Sequence, residues 1–305
     1  MLVAPSVPAG IVSLGLAAIV IDSATIPDVA ILALVAMSAW FVLWRTRRWR
    51  RRAPDARPPA GVLAAMDQWP LVTRLSDTER RQLERDVAWF LAEHRITGVD
   101  VEVDDTLRAT VACGAAYLSL HLPDHEWDPL REILLYSDTF DDDDFAPHDE
   151  GEFQGQFHEQ GSILFAAPEL LAGWAQEDGF NVSMHEFAHQ VDYLTGGVDG
   201  TPRMERARQW GQYVHDQIQR PDQNPDLRAV VDEYAWSDEA EFFACMTEVF
   251  FELPDVLQDV APELYGYLQG VWRQDPVTRI AEDERMSISD FVEHRPRDGV
   301  GGPTL

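Results

Sequence analysis

The segment from Asn181 to Gly197 constrains the fold of this 305-residue chain more than any other, because it places metal-binding side chains on an apolar helix. Apolar residues recur there at helical spacing, at Met184, Phe187, Ala188, Val191 and Leu194. This spacing predicts a helix with one buried face. Asn181 suits the N-cap of that helix, and Gly196 or Gly197 suits its C-terminal stop.

The same segment predicts a catalytic zinc site. His185 and His189 are one helical turn apart, with Cβ atoms about 5–6 Å from each other, so both imidazoles can reach one Zn²⁺. Glu186 projects about 100° away from His185, where it can act as general base and then general acid. Asp192 returns to the face of His189 and is predicted to fix the tautomer of a ligating histidine. The alternative is two histidines on a surface helix.

A catalytic zinc site needs a third protein ligand, and a downstream carboxylate is expected to supply it. The candidates lie on a second predicted helix, for which Ser237 is the expected N-cap. Glu241 and Glu248 share one face of this helix, about 10 Å apart along its axis, so both are not expected to bind one ion. Spacing alone leaves the choice between them open.

The surrounding sequence indicates a mixed α and β structure. Ser76–His94 begins with a capping-box pattern and predicts a helix, as does Leu107–Leu120. Two short apolar runs, Glu132–Tyr136 and Ser162–Ala166, predict strands. We expect Ser162–Ala166 to be an edge strand that pairs with an extended peptide.

The N-terminal part is strongly apolar. Leu2–Ile21 and Val29–Trp44 contain no charged residue, and six arginines follow within residues 45–52. This pattern predicts a membrane anchor over residues 1–52, made of a hairpin of two transmembrane helices or of a single helix, with the basic flank and the catalytic domain in the cytoplasm. Residues 53–61 are rich in proline and are expected to form a linker.

Composition excludes two classes of protein. The chain has no lysine and carries 24 arginines against 53 acidic residues, for a net charge of -29. Such an acidic chain cannot build the basic face that binds nucleic acid phosphates, so no nucleic acid partner is expected. The two cysteines are too few for a disulfide framework.

The motifs carry a resemblance to a known family. The sequence around His185, together with Gly200-Thr-Pro202 and Ala240-Glu-Phe-Phe-Ala244, is similar to the Mlc titration factor A family of zinc peptidases. Gly161–Phe165 and the closing Pro262–Tyr265 and Gln274–Pro276 stretches also resemble that family. The anthrax lethal factor catalytic domain is a more distant relative with a similar Tyr…Glu-Ala-Glu-Phe-Phe-Ala arrangement.

The resemblance implies a gluzincin-like α+β metallopeptidase domain over residues 62–280, mainly helical with a small sheet, preceded by the N-terminal hydrophobic helical hairpin and followed by a tail at 281–305. It implies that Glu241 is the third zinc ligand and that Tyr234 stabilises the oxyanion. His148, or equally His158, is a candidate for an inhibitory contact with the zinc.

The implied function is zinc-dependent hydrolysis of peptide bonds in a peptide or protein substrate, with aminopeptidase-like action. The alternative implied by the same family is a membrane-tethered regulatory protein that sequesters a transcriptional repressor.

Overall fold

The computed structural model describes residues 33–41, 56–122, 127, 130–138, 140–141, 152–153, 155–158 and 161–294. The chain divides into two compact units, Met1–Ala53 and Pro54–Leu305. Most of the predicted membrane segment and His148 lie outside the described residues. His158 lies in a strand whose backbone alone is described at that position.

In the first unit, residues 33–41 form one helix, α1. Within the described part of the chain, no helix has the length and apolar character needed to cross a membrane. This finding contradicts the predicted membrane anchor and, with it, the predicted membrane-anchored location.

The second unit contains the other helices. They are α2 (Ala60–Met66), α3 (Pro70–Thr73), α4 (Asp77–Glu93), α5 (Asp105–Leu118), α6 (Ala167–Ala175), α7 (Val182–Tyr193), α8 (Ala207–Gln219), α9 (Pro225–Val230), α10 (Glu239–Glu252), α11 (Pro254–Val260), α12 (Pro262–Trp272) and α13 (Ile288–His294). Short 3₁₀ turns span Pro221–Gln223, Glu233–Trp236 and Pro276–Arg279.

The strands form two small sheets. They are β1 (Ile96–Val99), β2 (Glu132–Tyr136), β3 (Phe140–Asp141), β4 (Glu152–Phe153), β5 (Gly155–His158) and β6 (Ser162–Ala166). Four of them form a mixed sheet in the order β1-β2-β6-β5, in which only β5 is antiparallel to its neighbour. Strands β3 and β4 pair separately.

The edge of the mixed sheet differs from the prediction. Both predicted strands form with the expected bounds, but Ser162–Ala166 pairs with β2 on one side and β5 on the other. The predicted edge strand is therefore an internal strand, and β1 and β5 are the edges of the described sheet. The reason is that β6 is buried over most of its length, as its unbroken apolar run suits, whereas an exposed edge favours shorter and more polar strands.

Local capping signals account for the helix starts. Ser76 and Glu79 form the predicted capping box at the start of α4. The side chain of Asp104 accepts a hydrogen bond from the backbone N–H of Leu107 and caps α5. Helix α5 is buried over nearly its whole length and packs against α4 and α7. The second unit is therefore mostly helical with one small mixed sheet, an α+β architecture.

Candidate metal centre

Helix α7 is largely buried, and several of its buried side chains are polar. Its N-cap is Asn181, as predicted, whose side chain accepts a hydrogen bond from the backbone N–H of Met184. Met184, Phe187 and Ala188 are fully buried. The buried apolar residues fix the rotation of the helix about its own axis. This rotation determines the directions in which His185, Glu186 and His189 project.

Helix α10 packs against α7 and supplies the carboxylates. Its N-cap is Asp238, whose Oδ1 accepts hydrogen bonds from the backbone N–H groups of Ala240 and Glu241. The predicted cap, Ser237, is one residue too early and instead ends the 3₁₀ turn that contains Tyr234. Aspartate suits this position because its charge favours the positive end of the helix dipole.

Three side-chain atoms of α7 and α10 converge on one point. His185 Nε2 lies 3.0 Å from Glu241 Oε2 and 3.1 Å from His189 Nε2. His189 Nε2 lies 3.4 Å from Glu241 Oε2. Atoms bound at about 2.0–2.1 Å around a tetrahedral zinc ion lie about 3.3 Å apart. Two imidazole nitrogens and one carboxylate oxygen are also a usual donor set for catalytic zinc, so the residues fit a metal ion.

His185 and Glu241 each shift the pKa of the other. Burial alone would lower the pKa of His185, but the carboxylates of Glu248 and Glu241 raise it well above its ordinary value. Burial would raise the pKa of Glu241, but hydrogen bonds from His185 and His189 lower it strongly. The carboxylate of Glu241 is therefore ionised at neutral pH, as a metal ligand must be.

Glu186 is buried beside this point. Burial raises the pKa of its carboxyl to about 7, against the lowering influence of His185 and His189. Its Oε2 atom has no hydrogen-bond partner among the described residues. A buried carboxyl with a pKa near neutrality is suited to accept and release a proton.

Strand β5 crosses α7 next to Glu186, which the sequence analysis missed. A Cβ atom added to Gly155 would lie 2.7 Å from Glu186 Oε1 and 2.6 Å from Val182 Cγ2. At these distances a larger residue would displace the side chains of Glu186 and Val182, so glycine lets the strand lie close to the helix without moving them. The glycine in the short polar stretch before β6 was the signal available in the sequence.

Tyr234 lies near His185. Their ring centroids are 6.5 Å apart, and the 3₁₀ turn Glu233–Trp236 leads directly into α10. Burial raises the pKa of the Tyr234 phenol, and the carboxylate of Glu241 raises it further. The phenol therefore stays protonated and can donate a hydrogen bond.

Asp192 lies at the end of α7 and contacts a turn. Its Oδ2 accepts a hydrogen bond from the backbone N–H of Gly200, 2.6 Å away. Gly200 has a positive φ of 73°, and a Cβ there would overlap the carbonyl of Glu239 at the start of α10. Asp192 Oδ1 and His189 Nδ1 are both buried and have no partner among the described residues. The described contacts of Asp192 thus link the end of α7 to the start of α10.

Glu248 reaches the opposite nitrogen of His185. Its Oε1 lies 2.8 Å from His185 Nδ1, whereas Glu241 lies on the Nε2 side. Cys245 Sγ is also on the Nδ1 side, at 4.0 Å. The two carboxylates that spacing could not separate therefore contact the same imidazole from opposite sides, and Glu241 is the one that converges with both histidines.

Comparison with known proteins identifies the family of this chain. The sequence profile of the glucose-regulated metallo-peptidase M90 family matches residues 42–273. An uncharacterized protein of Synechocystis sp. is 29% identical over 251 residues, which cover 75% of this chain and 90% of that protein. Mlc titration factor A of Pectobacterium atrosepticum is 30% identical over 226 residues, covering 69% of this chain and 85% of the relative.

A further relative is Mlc titration factor A of Yersinia enterocolitica, 28% identical over 254 residues, which cover 78% of this chain and 94% of that protein. The matched region includes α7 and α10, and the expected resemblance to the Mlc titration factor A family is confirmed. The chain belongs to the glucose-regulated metallo-peptidase M90 family.

Proposed function

We propose that this chain is a zinc-dependent peptidase with aminopeptidase-like action. The observation that carries the proposal is the convergence of His185 Nε2, His189 Nε2 and Glu241 Oε2 on one point, beside the buried carboxyl of Glu186. We assign this activity to a gluzincin-like domain at residues 62–280, with 53–61 as linker and 281–305 as tail.

In this proposal His185, His189 and Glu241 hold the zinc ion. When bound there, zinc supplies Lewis-acid polarisation of the scissile carbonyl and makes the attacking water more acidic. The fold sets the geometry of the three ligands. Two of them come from consecutive turns of α7, and α10 supplies the third.

Glu186 is the proposed proton carrier. Its carboxylate accepts a proton from the attacking water and, once protonated, donates it to the nitrogen of the leaving amine. The raised pKa of its carboxyl supports this role, because a group with a pKa near 7 exchanges protons in both directions at neutral pH.

Tyr234 is the proposed donor to the developing oxyanion. Its phenol stays protonated in the folded protein and stands next to Glu241 and His185. A neutral donor fixed in place before the reaction stabilises negative charge on the carbonyl oxygen without reorganisation.

The substrate is proposed to lie along β5. This strand pairs with β6 on one side only, at the end of the described sheet order. An extended peptide could add to the other side by main-chain hydrogen bonds. Gly155 keeps this strand within reach of Glu186, so the scissile bond would pass close to the proton carrier.

The variant Glu186→Gln tests the proposal. It keeps the three ligands and the shape of the side chain but cannot accept a proton, so we expect the purified full chain to bind zinc normally and to lose activity by about 10²–10⁴-fold. The measurement is zinc content by metal analysis, together with hydrolysis of peptides with free and blocked N-termini.

Two controls complete this test. A chelator should abolish hydrolysis by the unaltered chain, and added zinc should restore it. Peptidase activity that persists in Glu186→Gln would contradict the assignment, and cleavage of blocked peptides as fast as free ones would contradict aminopeptidase-like action.

A second candidate function is the sequestration of a transcriptional repressor. It is favoured by the relatives, which are named Mlc titration factor A. A binding function does not need an intact set of three ligands and Glu186, so we rank it second. Repressor binding that is unaffected by chelator, in a chain without peptidase activity, would favour it.

A further inference from the structure

Helix α10 carries two buried carboxylates, Glu248 and Glu252, which lie C-terminal to the candidate ligand Glu241. The side chain of Glu248 is 3% exposed, and Glu252 is also buried. A buried carboxylate is costly unless hydrogen-bond donors surround it. The hydrogen-bond donors that contact each of these two carboxylates therefore indicate its role.

Glu252 receives its donors from the loop before α7. Its Oε2 accepts hydrogen bonds from the backbone N–H groups of Gly179 and Phe180, each 3.0 Å long. Its Oε1 accepts from Asn181 Nδ2 at 3.0 Å. All these donors are amides that anchor the start of α7, and no histidine is among the partners described for Glu252.

Glu248 receives one donor from the same loop and one from the metal centre. Its Oε2 accepts from the backbone N–H of Asn181, and its Oε1 faces His185 Nδ1 at 2.8 Å. Since the backbone group can only donate, and the carboxylate can only accept, the bond to His185 requires a proton on Nδ1.

We propose that Glu248 is a positioning residue that holds His185 in the tautomer with its proton on Nδ1, so that Nε2 is free to bind the metal ion. This inference rests on the proposed metal site but not on peptide hydrolysis. Carboxylates that orient a ligating histidine typically change metal affinity by about 10–100-fold.

The hydrogen-bond pattern makes Glu248→Gln a sharp test. The glutamine has the same shape, but it offers one acceptor and one NH₂ group. The backbone N–H of Asn181 must face the carbonyl oxygen, so the NH₂ group faces His185 and favours a proton on Nε2, the nitrogen that should bind metal. An acid-to-amide change that favours the wrong histidine tautomer is known to be damaging in catalytic sites. Glu248→Ala removes both contacts and leaves the imidazole of His185 free to adopt either tautomer.

The experiment measures the zinc dissociation constant of the purified full chain by competition with a chromogenic chelator. We expect Glu248→Gln to weaken zinc binding by about 10–100-fold, and Glu248→Ala to weaken it by about tenfold and by no more than Glu248→Gln. The matched control is Glu252→Gln, which alters the same loop without touching a histidine and should stay within about threefold of the unaltered chain. Urea unfolding of the metal-free proteins verifies that each variant folds.

Three outcomes would overturn the proposal. They are a Glu248→Gln affinity within threefold of the unaltered chain, an equal loss in Glu252→Gln, and a clearly milder effect of Glu248→Gln than of Glu248→Ala, which a purely structural role would produce. If Glu248→Gln does not fold, Glu248→Ala carries the test: a tenfold loss supports the proposal, and an affinity within threefold overturns it. A chain that binds zinc but cleaves no peptide would refute the proposed function and leave this inference intact.

Discussion

Two polar clusters in the second unit differ in how their charged side chains are satisfied by hydrogen bonds. In the arginine cluster, made of Glu79, Tyr117, Gln274 and Arg279, the guanidinium of Arg279 donates to Glu79 at 2.7 Å, to Gln274 at 2.9 Å and to Tyr117 at 3.2 Å. Gln274 in turn donates to the carbonyl of Tyr117 at the end of α5. None of these four side chains has a buried nitrogen or oxygen atom that lacks a partner.

In the candidate metal centre, by contrast, some buried polar atoms have no hydrogen-bond partner among the described residues. His185 Nε2, His189 Nε2 and Glu241 Oε2 face one another, and buried atoms of Glu186 and His189 have no partner among the described residues. Buried polar groups in native proteins are almost always satisfied, and the exceptions concentrate at functional sites. The arginine cluster therefore stabilises the fold by itself, whereas the candidate metal centre has three donor atoms placed where they could share one cation.

The largest expected effect is the loss of stability on breaking the arginine cluster. Arg279→Ala leaves Glu79 and Gln274 without their cationic donor, which should lower the free energy of unfolding by about 3 kcal/mol. Urea unfolding measures this change. Arg228→Ala is the control, because its partners Asp222 and Glu233 have side chains 96% and 89% exposed, and it should cost under about 0.5 kcal/mol. Equal losses in both variants would remove the distinction between the two clusters.

The next effect concerns zinc and stability. Zinc at 1,000 times its dissociation constant should stabilise the unaltered chain by about 4.1 kcal/mol. Glu241→Ala removes a ligand and should weaken binding at least about 100-fold, so the gain at the same zinc concentration should fall to about 1.4 kcal/mol or less. Urea unfolding with and without zinc measures both gains.

Glu239→Ala provides the matched control for this comparison. Glu239 is an exposed residue in the first turn of the same helix and should keep the full zinc-dependent gain. Zinc that stabilises Glu241→Ala as much as the unaltered chain would show that the cation binds elsewhere. Zinc that stabilises Arg279→Ala by the usual amount would sharpen the comparison, since the two clusters would then act independently.

The smallest expected effect is a pH dependence of the arginine cluster. Burial raises the pKa of Glu79, but hydrogen bonds from Ser76 and Arg279 outweigh burial and lower the pKa to about 2. Because the pKa is lower in the folded state, this stabilisation is complete above the ordinary value of 4.5 and is lost as the pH falls from there towards 2. After allowance for solvent screening it amounts to about 1 kcal/mol.

Comparison of the unaltered chain with Glu79→Gln isolates this contribution. The difference in free energy of unfolding should be present at pH 6 and should shrink at pH 3. A Glu79→Gln difference that grows on acidification would have the wrong sign for a carboxylate with a lowered pKa.

The sequence predicted the elements that depend on local chemistry. The capping box at Ser76 and the N-cap at Asn181 form as expected, because a side chain and the backbone N–H groups that it satisfies lie within three residues of each other. The strands Glu132–Tyr136 and Ser162–Ala166 were recognised from apolar runs. Ser237 was the wrong cap, since two neighbouring residues both have a capping side chain and local sequence does not choose between them.

The sequence alone also determined that His185, Glu186 and His189 project from one helix at a spacing suited to zinc, because helical geometry is fixed by the chain itself. Only the tertiary structure decided that Glu241 approaches Nε2 of His185 while Glu248 approaches Nδ1. It also decided that β5, and not β6, is an edge strand, and that Gly155 lies against Glu186. These contacts join residues far apart in the chain. Their geometry depends on how whole helices and strands pack, which no local pattern records.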